Sequence, residues 1–458
     1  GRERGEEMES SSVSGGGAPH GDVSQSVSQF VDKHMMLRLV QFLRQTKSYS
    51  EEDIVKAEKE LVASTNLFSR KVELGYPQSE VDVKSEEFQK QVQELRGQCE
   101  ALLNVLESEE TMEDLKEGKN FNIESLSKNF GVQPEELVPL LSLARATYES
   151  GDYAKALSLL DAYRTLSPAS ERDQQAAWGK LAAHIMSEDD EGAAIALSQL
   201  KSQVDAITPA NTMNAVEQRV WLLHWALFAL FTPGNSSSGP VQFADTFFFV
   251  QQDRDRPSPP HYLEAASLRA PYLYRYATAA LVLSKRKKHL DKLIKMLELE
   301  RYQHSDPITR TLEKLFIHHD FEGALEELEA AHDILTHDFF LHSFADEFRN
   351  CALMLLFEAF CQVHQSIDTK FVADKLKMDP ASAELWIVNL IRSCHLDAKI
   401  DSETETIVLR RNYPSVYQQV FEKTKGMFFR SYLLSNNIDK SQQRLAQEAQ
   451  QPRRKNFH

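Results

Sequence analysis

From Phe30 onward, apolar side chains recur at steps of three and four along most of the chain, which is the period of an α-helix. Ile54, Ala57, Leu61, Thr65 and Phe68 mark one such face. Phe88, Val92, Leu95, Cys99, Leu102 and Leu106 alternate steps of four and three without a break, the seam of a long helix suited to packing along another helix. Residues 1–26 lack this pattern. Ser and Gly dominate and aromatics are absent, so a disordered leader is expected there.

The helical texture carries a weak repeat. Gly151-Asp152-Tyr153-Ala154-Lys155-Ala156-Leu157 and His319-Asp320-Phe321-Glu322-Gly323-Ala324-Leu325 share an Asp, an aromatic, two variable residues and Ala-Leu; Asp190-Glu191-Gly192-Ala193-Ala194-Ile195 is a looser third copy. In each, the Asp can cap a helix N-terminus and the small Ala lets a neighbouring helix approach closely. Such units resemble the second helix of a tetratricopeptide-like hairpin, and their irregular spacing predicts a degenerate TPR/HEAT-like helical solenoid over residues 27–365. Two loops interrupt it, Pro233 to Pro240 and Arg254 to Pro260. Phe247-Phe248-Phe249, between them, reads as core. The run Trp221 to Phe231 is far shorter than the ~20 apolar residues of a membrane span, so a helix buried on all sides is expected.

Beyond a long apolar helix marked by Phe344, Phe348, Leu355, Phe357, Phe360 and Val363, the pattern changes. Residues 367–376 suggest a short helix. Asp379 and Pro380 form an N-cap and first helical position for a second helix over 380–394, whose inner face carries Ala383, Trp386, Ile387, Leu390 and Ile391. Ala398 to Ile400 and Thr406 to Leu409, joined by the polar turn Asp401 to Glu405, read as a hairpin. Helix, turn, helix and hairpin in that order predict a winged helix over 366–412. A closing helix follows over 413–438, with Tyr417, Val420, Phe421, Thr424 and Phe428 on its apolar face, and then a polar tail, 439–458.

Composition narrows the chemistry. A formal charge of −16 argues against a chain that, as a whole, binds nucleic-acid phosphates. Four dispersed cysteines form no C-x-x-C pair, so reduced thiols in a cytosolic protein are expected. The charged, then Ser/Gly-rich start has no apolar core of a secretory signal. No phosphate loop, nucleophile elbow or H-E-x-x-H helix occurs, and His-x-His is absent too, so neither catalysis nor a metal or other cofactor is expected. His318-His319-Asp320 is the best metal candidate, yet adjacent helical residues point ~100° apart and rarely share an ion. Lys285, Arg286, Lys287 and Lys288 could make a weak RNA contact, against the simpler reading of a solvated helix end. DNA reading by the winged helix is disfavoured. Its second helix offers Asn389 and Arg392 beside Asp379 and Glu384, and its wing carries Asp401, Glu403 and Glu405.

A helical solenoid running into a winged helix and a closing helix resembles the PCI family, whose members belong to the proteasome lid, the signalosome and the translation initiation machinery. Within that family, Trp178 to Ala182, Arg219 to Trp225, Asp306-Pro307-Ile308-Thr309, Trp386 to Arg392, Leu396 to Asp401, Tyr417 to Val420 and Glu422 to Lys425 resemble the e-subunit branch of eukaryotic translation initiation factor three. The likeness runs from about Val27 to about Ile438. It implies a non-catalytic, cytoplasmic scaffold with the helical half of a PCI domain beginning near residue 240. The implied partners are the other PCI subunits of the same complex, other initiation factors, the small ribosomal subunit and, indirectly, messenger RNA, with no membrane. A proteasome-lid or signalosome scaffold and an RNA-binding adaptor are the alternatives. The hairpin's free edge, Ala398, Lys399 and Ile400 with Ile407, Val408 and Leu409, and the closing helix around Val420 and Phe421 are the expected partner-binding residues. Ile407 to Leu409 are expected to pair with a neighbour's strand, since no Pro or Lys blunts them.

Overall fold

The computed structural model describes residues 23–47, 49–107, 133–166, 172–207, 213–231, 238–248, 262–285, 290–302, 304–364, 366–368, 370, 372–373, 379–394, 398–401, 406–409 and 416–450. They fall into two compact units, 1–357 and 358–458. No helix among them is long and apolar enough to cross a membrane.

The first unit is helical. It opens with α1 (Ser24–Val27), α2 (Lys33–Thr46), α3 (Glu51–Ala63), α4 (Phe68–Glu73), α5 (Gln78–Gln98) and α6 (Glu100–Glu107). The stacked part comprises α7 (Leu137–Glu149), α8 (Tyr153–Leu166), α9 (Asp173–Met186), α10 (Asp190–Asp205) and α11 (Met213–Leu230). Then come α12 (Ser238–Phe247), α13 (Tyr262–Arg269), α14 (Leu273–Ser284), α15 (Leu290–Glu300), α16 (Pro307–Glu313), α17 (Phe321–His337) and α18 (Ala345–Val363), the last containing the division between the units. From α7 to α11 each helix packs on the next in sequence, the nearest-neighbour stacking of a solenoid.

The repeat seen in the sequence starts three of these helices, with one correction. Asp320 caps α17 by accepting from the Gly323 N–H at 3.1 Å, and Asp152 sits at the start of α8, ion-paired to Lys155. In the third copy the cap is Asp189, one residue before the expected Asp190, accepting from the Gly192 N–H at 3.1 Å. That shift brings the copies into register. The residue four beyond each Asp is Ala156, Ala193 or Ala324, and all three are buried where the neighbouring helix packs. At Gly192 and Gly323 an added Cβ would fall 2.2 and 2.3 Å from the capping carboxylate, so the cap itself occupies the space that glycine leaves.

Other expectations change in detail. The disorder expected up to residue 26 does not extend over Ser24–Val27, which is helical with Val27 buried; residues 1–22 lie outside the described residues. The stripe on α3 runs through Ile54, Glu58 and Val62 rather than Ala57 and Leu61. Glu58 can be buried because Arg70 binds it through Nε and Nη2, at 3.0 and 2.6 Å. The seam from Phe88 to Leu106 is interrupted at Cys99, which ends α5 and packs with Leu102, Val105 and Leu140 in one core cluster. On α11 the apolar run is buried except at Trp221, which is 46% exposed and lies edge-on to Trp178, and at half-buried Trp225. Phe247 is core, Phe248 is half-buried and Phe249 lies outside the described residues.

A buried ionic cluster fixes the end of the first unit and gives the Asp306-Pro307-Ile308-Thr309 motif a physical role. Arg275 on α14 grips Asp306 twice, through Nε at 2.5 Å and Nη2 at 2.8 Å, and reaches Asp338 through Nη1 at 3.1 Å. Tyr276 donates to Asp338 at 3.1 Å, and the His304 ring lies 3.0 Å from Asp306. Asp306 also opens α16: its N–H donates to the Thr309 hydroxyl at 3.2 Å, and Pro307 takes the first helical position. Burial alone would raise the Asp306 carboxyl. The His304 and Arg275 hydrogen bonds and the Arg275 charge outweigh it and hold Asp306 well below the usual carboxylate range.

The second unit contains β1 (Ser366–Asp368), α19 (Pro380–Cys394), β2 (Ala398–Asp401), β3 (Thr406–Leu409) and α20 (Val416–Gln450). The second helix and the hairpin lie where the sequence places them. The short helix expected over 367–376 is corrected at its start: Ser366 to Asp368 form a strand antiparallel to β3, with Ile367 opposite Ile407. On the other side of β3, Ile400 is in register with Ile407, which is buried. Three residues are too few for a period to show, which is why this strand escapes sequence reading. On α19, Ile387 and Leu390 are buried and Trp386 is half-buried.

Candidate partner-binding surface

The sheet order β1-β3-β2 decides which backbone is open to a partner. β3 is the central strand, hydrogen-bonded on both sides, so Ile407, Val408 and Leu409 cannot pair with a neighbour's strand as the sequence suggests. β1 satisfies the backbone groups that a two-stranded hairpin would leave open. The edges are β1 and β2. Ala398, Lys399 and Ile400 lie on β2, whose outer side has no partner strand among the described residues. A short edge of this kind can accept a strand from another chain. Val408 contributes differently: its side chain is 46% exposed on one face of the sheet.

The closing helix is the larger surface. α20 spans 35 residues, about 50 Å at 1.5 Å per residue, and runs past residue 438, where the sequence pattern suggests it ends. Every described side chain from Val416 to Gln442 is exposed except Asn436, which is half-buried. Val420 is 57% and Phe421 69% exposed. Tyr417, Val420, Thr424, Met427, Ser431, Leu434 and Ile438 alternate steps of three and four, a seam for another helix, and Phe421, Phe428 and Tyr432 widen it. The apolar face expected from Tyr417 to Phe428 is thus only its first half. In a soluble monomer so many large apolar groups on one continuous face mark an interaction surface. Lys423, Lys425, Arg430 and Lys440 outnumber Glu422 and Asp439 along the same stretch, so the helix is locally basic in an acidic chain.

The remaining candidates are weaker. Lys285 is an exposed residue at the end of α14, in the left-handed region at φ 54°; Arg286, Lys287 and Lys288 lie outside the described residues. His318 faces Glu313 at 3.6 Å while Asp320 caps α17, so these neighbours serve separate local contacts. Among the described residues no three His, Cys, Asp or Glu side chains are grouped to hold a metal ion.

Comparison with known proteins agrees with this layout. A family model described as eIF3 subunit 6 N terminal domain matches residues 22–146, and a PCI domain model matches 328–411. A third, of the C-terminal part of the E subunit of eukaryotic translation initiation factor 3, matches 415–435, which from Val416 on is the exposed part of α20. Proteins named as the E subunit of that factor align over nearly the whole chain. That of Arabidopsis thaliana is 31% identical over 437 residues, covering 91% of this chain and 96% of its own length. That of Bombyx mori is 32% identical, covering 92% and 95%, and that of Brugia malayi 33%, covering 92% and 94%. With these three matches in chain order and relatives aligned over nine-tenths of its length, the chain belongs to the family of the E subunit of eukaryotic translation initiation factor 3.

Proposed function

We propose that the chain is a non-catalytic scaffold of the cytoplasmic translation initiation factor 3 complex, which holds neighbouring PCI subunits through α20 and the β2 edge. In that role it supports recruitment of the small ribosomal subunit and, indirectly, of messenger RNA. One observation carries the reading. A 35-residue helix displays a long, exposed apolar seam, and a second helix or a bundle of helices is the surface that would cover it. The relatives' name supplies the complex in which such neighbours would be found. The experiment is co-purification of V420D/F421D in the full chain. Both side chains are exposed, so helicity measured by circular dichroism should not change, while neighbouring subunits should be lost. Retention of every neighbour by the folded variant refutes scaffolding through this helix and leaves the β2 edge as the surface to test.

A further inference from the structure

Lys71, on α4, is a charge without a counter-charge. It is 6% exposed, yet among the described residues its ammonium makes no hydrogen bond and no ion pair. What it meets is an aromatic face: Nζ lies 5.4 Å from the centre of the Phe68 ring. That ring packs on Phe88 of α5, centroids 5.8 Å apart, so Lys71 lies in the corner where α4 meets α5. Its stem is covered, but Nζ is not sealed from solvent, so an anion arriving from outside can reach it. Arg70, the preceding residue, is in the opposite state. Its guanidinium binds Glu58 through Nε and Nη2, and Glu73 through Nη1 at 2.7 Å, so both of those carboxylates are taken.

A second ammonium shares the corner. Burial first, and the Lys84 charge after it, hold Lys71 below the usual lysine pKa. Lys84, exposed on α5, likewise has no ion pair among the described residues: Glu80 and Glu87 stand one turn before and one turn after it, and neither pairs with it. An ammonium taken out of water is costly unless an anion meets it, and a ring face offsets only part of that cost. The fold therefore leaves this corner one negative charge short. The rest of α5 limits what can supply it. Glu80, Asp82, Glu86 and Glu87 are all exposed, so they repel a run of phosphates or of acidic residues more strongly than they repel a single carboxylate.

We propose that Lys71 and Lys84 together bind one carboxylate of a partner chain, an Asp or Glu that is not part of an acidic run. The arriving carboxylate gives each lysine the charge-assisted contact it lacks, and the nearly buried Lys71 holds it where water competes least. The site belongs to the first unit and shares no residue with α20 or β2.

Carbodiimide coupling reads the contact directly. The reagent activates a carboxylate, and a lysine amine touching it displaces the urea to leave an amide with no spacer. In the full chain within its complex, the expected adduct joins Lys71 or Lys84 to an Asp or Glu of another subunit, and K71M/K84M abolishes it. A synthetic peptide carrying that acid should bind the isolated full chain. K71M should weaken it at least about tenfold, as loss of one partner of a nearly buried pair does. K84M should weaken it about two- to fivefold at low salt, the range of an exposed pair. Changing the peptide's acid to its amide, with the chain untouched, should weaken binding as much as K71M does. The isolated chain gives a readout that a merely structural lysine would not. K71M removes an unpaired charge and keeps the volume of the stem, so its urea midpoint should hold or rise. A lower midpoint, or failure to fold, marks Lys71 as a structural residue and overturns the proposal. It also falls if the adducts lie only within this chain, on a second copy of it, on a phosphorylated residue or on RNA, if none forms, or if peptide binding ignores both K71M and the amide peptide. The peptide is tested without the neighbours of α20, so failure here leaves the scaffold reading standing, and failure of V420D/F421D leaves the lysine site standing.

Discussion

Replacing Arg275 by Met tests whether the buried ionic cluster holds the first unit together. Arg275 is 1% exposed, and its guanidinium makes three hydrogen bonds, two to Asp306 and one to Asp338. Met fills most of the space but supplies no donor. Asp306 would keep the His304 contact, and Asp338 would keep Tyr276 and the backbone N–H groups of Phe340 and Leu341. Two carboxylates would then be buried without the guanidinium. Breaking a buried pair on one side costs about 3–5 kcal/mol, much of it from the charge left behind. That is the loss expected at neutral pH, read as a lower urea midpoint at unchanged slope by circular dichroism. The sign of the pH dependence is more telling. In the native chain Asp306 has a folded pKa below its unfolded value, so its contribution is present above the unfolded pKa and is lost as pH falls. Without Arg275, burial raises the carboxyl above its unfolded value, so the deficit is largest near neutral pH and shrinks as acid protonates it. R275M/D306N/D338N, which removes both orphaned charges, should recover most of the loss. A deficit under about 1 kcal/mol, or one that grows as pH falls, refutes the reasoning.

Three further outcomes follow from the structure. Trp386 is half-buried, so W386A should cost about 2 kcal/mol rather than the roughly 3–5 kcal/mol of a fully buried aromatic, measured by thermal unfolding of the full chain. G323A should cost about 1 kcal/mol, because the new Cβ displaces the Asp320 cap; G192A should cost more, since the Cβ would also fall 2.4 Å from Nδ1 of the buried His184 ring, and equal losses would contradict this. His224 is fully buried, with Nδ1 2.6 Å from the Val220 carbonyl and Nε2 2.6 Å from the Tyr272 hydroxyl, and burial lowers its pKa to about 4 despite the Val220 contact. A depressed histidine is neutral in the fold and charged in the unfolded chain, so stability falls as pH drops from about 6.5 towards 4, by about 3 kcal/mol at most; H224Q should flatten that slope in pH-dependent urea unfolding.

The parts of the fold legible in the sequence are those set by local period and local caps. α19 begins at Pro380 and ends at Cys394, and the hairpin strands start at Ala398 and Thr406, because helix starts and alternating β-branched residues carry their signals within a few positions. What stays hidden depends on partners distant in sequence. Glu58 lies on the buried face of α3 because Arg70 waits twelve residues on, and no periodicity can place a carboxylate inside. Asp306 is visible as part of a motif, but its role requires Arg275 and Asp338 to meet it in space.

The winged helix shows how much one missing element can change a functional reading. A two-stranded hairpin has two open edges, and on that picture Ile407 to Leu409 are the obvious place for a neighbour to dock. Adding Ser366 to Asp368 converts β3 into a central strand and leaves the open backbone on the edges, β1 and β2. The correction also redistributes the work between the two candidate surfaces. A four-residue edge offers only a few main-chain hydrogen bonds, each about 1 kcal/mol net. A helix of about 50 Å whose exposed seam from Tyr417 to Ile438 carries Val420, Phe421, Met427, Phe428 and Leu434 can bury many large side chains, at about 1.5–3 kcal/mol for each one fully covered. Even after the entropy lost on association, that balance places affinity on α20 and leaves β2 to set orientation, which is why V420D/F421D rather than a strand variant is the decisive perturbation.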